Sequence, residues 1–347
     1  MTFAELAGAL GRDPRRWASG RRHLRLLEER GLARSWGRPR RWSVTEEGRR
    51  LLAALAGAGQ PARPPLKVYL AGAPPATRVL AALGLRVPYL LGAGVYWRGG
   101  RFAPVKDLSF ASEVFVDSGA QQFYRKFKGF EYPYTPRQHL EFALSVNADL
   151  VATLDLPLDI LTPRGLPVEE GVRRTVELGV QGIEEAEKLG ARNRVVPVLQ
   201  GYDDPGQWLE SLDLYREHGV RRSPSGVWGV GSLCMARGYR LPLQVLSELR
   251  KALPEGESIH VFGPALNVVK KVYMLIDSFD TSAWVYWAKM DGAFFAWDPL
   301  RRRFVEAQPR AGMRYDTLSL MAMNARAVLD MARDLAEDKA RRLAARA

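Results

Sequence analysis

Residues 114–123 read VFVDSGAQQF. Three apolar residues run straight into an acid, a serine, a glycine and paired glutamines. Taken alone, this is a buried strand whose end opens a turn on Asp117. The pattern recurs along the chain. Short apolar runs KVYLAGA, LVATLDLP, VVPVLQG, GVWGVGS and HVFG begin at residues 67, 150, 195, 226 and 260. Longer helical stretches lie between them, among them PRQHLEFALSV, VEEGVRRTVELGVQGIEEAEKLG, PGQWLESLDLYREHG and LPLQVLSELRKAL. Strand and helix in alternation predict a parallel sheet covered on both faces. More than five such units over about 240 residues predict an α/β chain built on a closed (β/α)8 TIM barrel rather than an open sheet.

The ends of the apolar runs carry the chemistry. One ends on Asp117 and Ser118, another on Asp155, a third on Gln200 and a fourth on Gly231 and Ser232; MLIDSF ends on Asp280. Parallel strands all point the same way, so these residues are expected to converge on the mouth formed by the C-terminal strand ends. Carboxylates, an amide and closely approaching backbone suit a polar, planar ligand and acid/base or nucleophilic chemistry. The sequence contains no Gly-rich phosphate loop, HExxH, Ser-His-Asp or dinucleotide fingerprint that competes with this reading.

Of the 347 residues, 47% are hydrophobic and 26% charged, as in an ordinary globular protein. No apolar run is long enough to span a bilayer, and the first residues, MTFAELAGALGRDP, do not read as a secretion signal. A cytoplasmic protein without membrane contact is expected. The single cysteine, Cys234, excludes an internal disulfide framework and a Cys-rich zinc site. The net charge is +13 and is unevenly placed: residues 1–63 hold fourteen Arg against six Asp or Glu, a local charge of +8. Ala, Gly, Arg, Leu and Pro are abundant throughout, but the clustering favours a polyanionic partner, with nucleic acid the usual one.

That basic segment has its own pattern. Thr2 and Glu5 form a capping box ahead of Phe3, Leu6 and Leu10; Asp13 and Pro14 start a short second helix; Leu24, Leu26 and Leu27 line a third that stops at Gly31. Two strand-like runs then flank the turn SWGRPR, and Thr45 opens another helix. This order resembles a winged helix-turn-helix. The resemblance implies that Arg21, Arg22 and Arg25 enter a major groove while Arg38, Arg40 and Arg41 touch backbone or minor groove. A winged helix used only for protein contacts is the alternative. The expected domains are the winged helix over 1–56, a Gly/Pro/Ala linker over 57–66, the barrel over 67–312 and a C-terminal helix over 313–347.

In the barrel, DSGAQQF, ATLDLPLDI, VLQGYDD, VGSLCM and IDSFDTSAWVYWAKMDG resemble, in order, the motifs of the tRNA-guanine transglycosylase superfamily. The resemblance implies Asp280 as the nucleophile on the sugar C1′, with Asp277 as a rival, and Asp117 as general acid/base. It implies that Asp155 reads the amino and ring N–H edge of the base, and that Gln200, Gly231 and Ser232 meet its carbonyl oxygen. Ser118 belongs to the same pocket. Two departures stand out. The three closely spaced cysteines and the histidine of the family's zinc site have no counterpart, so no metal or other cofactor is expected. Gln121 stands where the family has its stacking aromatic, which leaves Phe123 or Tyr124 for that role. A basic winged helix on a zinc-free barrel is most like the DNA-directed branch of the superfamily, which inserts a 7-deazaguanine into DNA. The expected partners are therefore duplex DNA, with tRNA as the alternative, and a 7-deazaguanine base such as a 7-cyano or 7-aminomethyl form. A non-catalytic DNA-binding regulator and a glycosylase that only removes the base remain as further alternatives, and the oligomeric state is open.

Overall fold

The computed structural model describes residues 33–36, 41–44, 66–307 and 316–345, apart from short stretches at 73–78, 81–83, 85, 106–107, 127–129 and 237. The chain divides into two compact units, Met1–Pro64 and Pro65–Ala347. In the first, Ala33–Trp36 and Arg41–Val44 pair antiparallel, with Trp36 opposite Arg41. The helices expected around them lie outside the described residues, as do Arg21, Arg22, Arg25, Arg38 and Arg40. Of Arg41 only the strand backbone is described.

The second unit is an α/β barrel. Its strands are β1 (Lys67–Ala71), β2 (Val87–Gly92), β3 (Ala111–Asp117), β4 (Leu150–Ala152), β5 in two halves (Val195–Val196 and Val198–Leu199), β6 (Val227–Val230), β7 (Ser258–Val261) and β8 (Ser278–Thr281). Every neighbouring pair is parallel. The hydrogen-bonded sheet has nine segments in a row, with the two halves of β5 at its ends. Those halves are one run of chain interrupted at Pro197, which has no N–H to give the ladder. The first half pairs with β4 and the second with β6, so eight strands close into a ring. The Pro197 carbonyl still accepts the Gly229 N–H at 2.9 Å and helps seal the seam.

Strand side chains alternate between two cores, as the two-residue period of a strand requires. Tyr69, Leu90, Phe115, Ala152, Val196 and Val198 fill the barrel interior. Val68, Leu70, Val114, Val116, Val151, Trp228, Ile259 and Phe279 face the surrounding helices. The connecting helices carry their own start signals. α2 (Pro136–Ser145) begins with a capping box between Thr135 and Gln138, and α4 (Pro205–Glu217) with one between Asp204 and Gln207; each has Pro at its first position. The other main helices are α1 (Ala120–Lys126), α3 (Val168–Lys188), α5 (Arg240–Ala252), α6 (Leu266–Val272) and α7 (Thr317–Ala344). Trp208, Trp228 and Trp284 are fully buried. Truncating any one of them to Ala would be expected to cost about 3–5 kcal/mol.

Sequence reading did not anticipate β2, the short antiparallel pair Trp97–Arg98 and Arg101–Phe102, or a second hairpin. After β8 the chain forms an antiparallel hairpin of β9 (Phe294–Asp298) and β10 (Arg303–Ala307). Its Phe295, Trp297 and Phe304 rings cluster, with Trp287 within 4.9 Å of Phe295 and Phe304. The buried face of α7 packs against the barrel through Leu320 and then Met321, Ala325, Val328, Met331 and Leu335, the last five spaced three and four residues apart.

Candidate active site

Strand parity and direction build the site. Phe115 points into the barrel, and Asp117, two residues on, points the same way at the mouth. The same step leads from Val198 to Gln200, from Gly229 to Gly231 and from Ser278 to Asp280. A cavity of about 620 Å³ is lined by Asp117, Ser118, Asp155, Gln200, Gly231, Ser232 and Asp280, together with Gln121, Asp159, Cys234, Phe262, Tyr286 and Trp287. That size accommodates a planar base with room to spare.

Local backbone fits the task. Gly119 has φ +77°, and a Cβ there would lie 2.1 Å from the Gly94 nitrogen, so the turn after Asp117 requires glycine. A Cβ on Gly231 would lie 2.3 Å from the Gln200 amide nitrogen, so only glycine lets that amide lie flat against the strand. Ser232 adopts φ +56°, a conformation a non-glycine residue rarely holds, and it does so at the cavity wall.

A hydrogen-bonded chain fixes the recognition groups. Ser118 donates to Asp155 Oδ1 at 2.6 Å. Gln200 Nε2 donates to Asp155 Oδ2, and the Ser232 hydroxyl donates to Gln200 Oε1. Ser232 Oγ in turn accepts the Leu158 N–H at 2.8 Å. With its oxygen held by Ser232, Gln200 presents only N–H to a ligand, while Asp155 presents only acceptors.

Burial raises two of the carboxylates. Burial, aided by the charges of Asp155 and Asp280, pushes Asp117 up to about 7, against the pull of the Gly119 and Ser118 N–H groups. Burial pushes Asp155 up to about 6, opposed by its bonds from Ser118 and Gln200. Asp117 and Asp280, from β3 and β8, line the same cavity. Asp280 Oδ1 accepts the Gly263 N–H at 2.8 Å. Asp277 sits on the opposite parity and does not line the cavity. It accepts from Arg250 and, at 2.8 Å, from the Ile259 N–H, and lies 3.5 Å from Lys339.

Phe123 does not line the cavity either. Its ring is 3% exposed and packs against Tyr132 and Tyr134, because α1 turns that face inward. The side chain of Tyr124 lies outside the described residues. Gln121 does face the cavity, where its amide donates to Cys234 Sγ at 3.2 Å, and the Cys234 thiol donates to Asp159 Oδ2 at 2.9 Å. Burial raises Asp159 above the ordinary carboxylate range. Sequence reading passed over Asp159 and Cys234; the second acid in LDLPLD was the available signal. Among the described residues no group of three or more His, Cys, Asp or Glu could hold a metal ion, and Cys234 is engaged at the cavity wall. The chain does not fit a three-cysteine zinc site.

Residues 106–326, more than half of the chain, match the family model described as queuine tRNA-ribosyltransferase. No curated protein matches the chain.

Proposed function

The chain belongs to the queuine tRNA-ribosyltransferase family and is accordingly a guanine transglycosylase acting on nucleic acid, and we propose that it exchanges guanine for a 7-deazaguanine derivative in duplex DNA. The observation that carries the reading is the meeting of Asp117 and Asp280 in the cavity that also holds the Asp155–Gln200 pair. In the proposed reaction the Asp280 carboxylate attacks C1′ of the target nucleotide. The C1′–N9 bond breaks, its electron pair leaves with the base, and Asp117 supplies the proton. An ester between Asp280 and C1′ results. Asp117, now a carboxylate, takes the N9 proton of the incoming base. N9 then attacks C1′, and the ester bond breaks to return Asp280. Two displacements retain configuration, as in a retaining glycosidase. A group titrating at about 7 suits both proton transfers near neutral pH.

Base choice follows from the fixed donors and acceptors. Guanine and its 7-deaza relatives offer a carbonyl acceptor beside N–H donors, which complements a Gln200 donor beside Asp155 acceptors. Adenine offers the reverse. The local charge of +8 in residues 1–63 supports a duplex gripped outside the barrel while the target base is flipped into the cavity. Major-groove contacts from Arg21, Arg22 and Arg25, and backbone or minor-groove contacts from Arg38, Arg40 and Arg41, belong to that proposal. The family's description names tRNA and favours the second reading, exchange into tRNA.

The test is incorporation of radiolabelled guanine into duplex DNA and, in parallel, into bulk tRNA by wild type and Asp280→Ala. Label entering DNA alone, with loss of at least about 10³-fold in the variant, is the expected result. Label entering tRNA alone would assign the second reading. Full activity of the variant would remove Asp280 from its role. Competition by 7-cyano- and 7-aminomethyl-7-deazaguanine then ranks the incoming bases.

A further inference from the structure

His260 lies inside the barrel, next to Ser278 in the register of β7 and β8. It is fully buried, and the rings of Tyr69, Phe115 and Phe262 meet it edge-on at 4.6–5.5 Å. Its Nδ1 is 2.9 Å from Ser278 Oγ. Among the described residues its Nε2 has no hydrogen-bond partner, and it lies 3.5 Å from Asp280 Oδ1. This is the same oxygen that accepts the Gly263 N–H. The charged groups facing the ring from β1 and β3, Lys67 and Glu113, pair with each other at 2.5 Å. Burial holds the imidazole neutral, against the opposing pull of Asp280. A neutral ring carries one N–H. An N–H on Nδ1 would leave the Nε2 lone pair facing the Asp280 carboxylate at 3.5 Å, so the favoured tautomer carries the N–H on Nε2 and lets Nδ1 accept from the Ser278 hydroxyl. Catalytic hydrogen bonds are often long in the free enzyme and tighten when substrate binds.

We propose that His260 is a positioning residue that holds Oδ1 of Asp280 from within the barrel, leaves Oδ2 to attack the sugar, and keeps the glycosyl-enzyme short-lived. The inference rests on the reading of Asp280 as nucleophile. A hydrogen bond to a carboxylate is roughly twice as strong as one to a neutral ester oxygen. An N–H on Oδ1 therefore favours the carboxylate over the ester. It restrains ester formation, and it stabilises the charge that returns to Asp280 when the ester bond breaks. His260 transfers no proton in either step. Its removal slows ester breakdown and does not slow ester formation, so the covalent intermediate accumulates.

The experiment traps the protein–nucleic acid adduct by denaturation during turnover with guanine, using duplex DNA and bulk tRNA as probes, and maps it by peptide mass spectrometry. The variants are His260→Phe, which fills the same space without a donor, His260→Gln, whose amide can donate, and Ser278→Ala. His260→Phe is expected to raise the trapped fraction about five- to tenfold while turnover falls about tenfold. His260→Gln is expected to restore both in part, and Ser278→Ala, which leaves the ring in place, to shift both the same way by less. A merely structural role would lower adduct and turnover together, and that outcome in folded variants overturns the proposal. So does a wild-type adduct level in both His260→Phe and Ser278→Ala with Asp280 carrying the adduct, which leaves the nucleophile assignment intact. An adduct on another residue, or no adduct in either wild type or His260→Phe with either probe, overturns the nucleophile reading itself and this inference with it.

Discussion

Asp117 is the residue whose environment has the clearest measurable consequence. Its carboxyl is raised to about 7 chiefly by burial and next by the charges of Asp155 and Asp280. The folded state therefore keeps a proton that the unfolded chain gives up near pH 4. Stability from this group is fully present at low pH and is lost as pH rises from about 4 to about 7, the slope being negative wherever the folded state binds more protons. Asp117→Asn removes the cost of the buried charge. The variant is expected to gain about 1–3 kcal/mol over wild type at pH 8 and almost nothing at pH 4, read from denaturant titrations at the two pH values. The same variant should lose about 10²–10⁴-fold in exchange rate, together with the inflection near pH 7 in its rate profile. An inflection that survives in Asp117→Asn would assign the titration to another group.

At the scale of elements, a buried amide ties hairpin β9–β10 to α7, beside the Trp297–Asp334 and Arg302–Asp338 contacts. Asn324 is fully buried on α7. Its Oδ1 accepts the Phe295 N–H at 2.8 Å and its Nδ2 donates to the Ala293 carbonyl at 3.0 Å. Asn324→Ala leaves two backbone groups without partners and should lower stability by about 2–4 kcal/mol, measured as a drop in Tm. The hairpin also backs Trp287, whose ring lines the cavity and packs on Phe295 and Phe304. The variant is therefore expected to weaken binding of the free base more than it slows turnover. Equal losses in KM and kcat would separate the hairpin from the cavity wall.

At the scale of the whole molecule, charge and chemistry fall in different segments. More than half of the net charge of +13 lies in residues 1–63, and every acid assigned to the reaction lies beyond residue 64. Phosphate contacts made by the basic segment would release counterions, so affinity for nucleic acid should fall steeply with salt. Deleting residues 1–64 is expected to reduce nucleic-acid affinity at least tenfold at about 0.1 M salt and to flatten the salt slope. Binding of a free 7-deazaguanine, followed by calorimetry, should be unchanged. An unaltered slope would place the phosphate contacts on the barrel instead.

The sequence by itself determined the alternation of strands and helices and the polar residues that end the apolar runs. Both are local properties: a strand's two-residue period and its direction are written in neighbouring residues, and parallel strands bring their ends together however the loops run. Asp117, Asp155, Gln200, Gly231, Ser232 and Asp280 were legible for that reason, and all of them line one cavity. What depends on partners distant in the chain was decided only by the tertiary structure. The closed ring separated Asp280 from Asp277 by setting one parity inward and tying the other to Arg250 and Lys339. It set Phe123 against Tyr132 and Tyr134 rather than at the cavity. It also brought Asp159 to Cys234 and His260 to Asp280. Pro197 shows the same division: the residue announces a break in a strand, but only the barrel gives each half its own neighbour, because hydrogen-bond pairing is set by segments far apart in sequence.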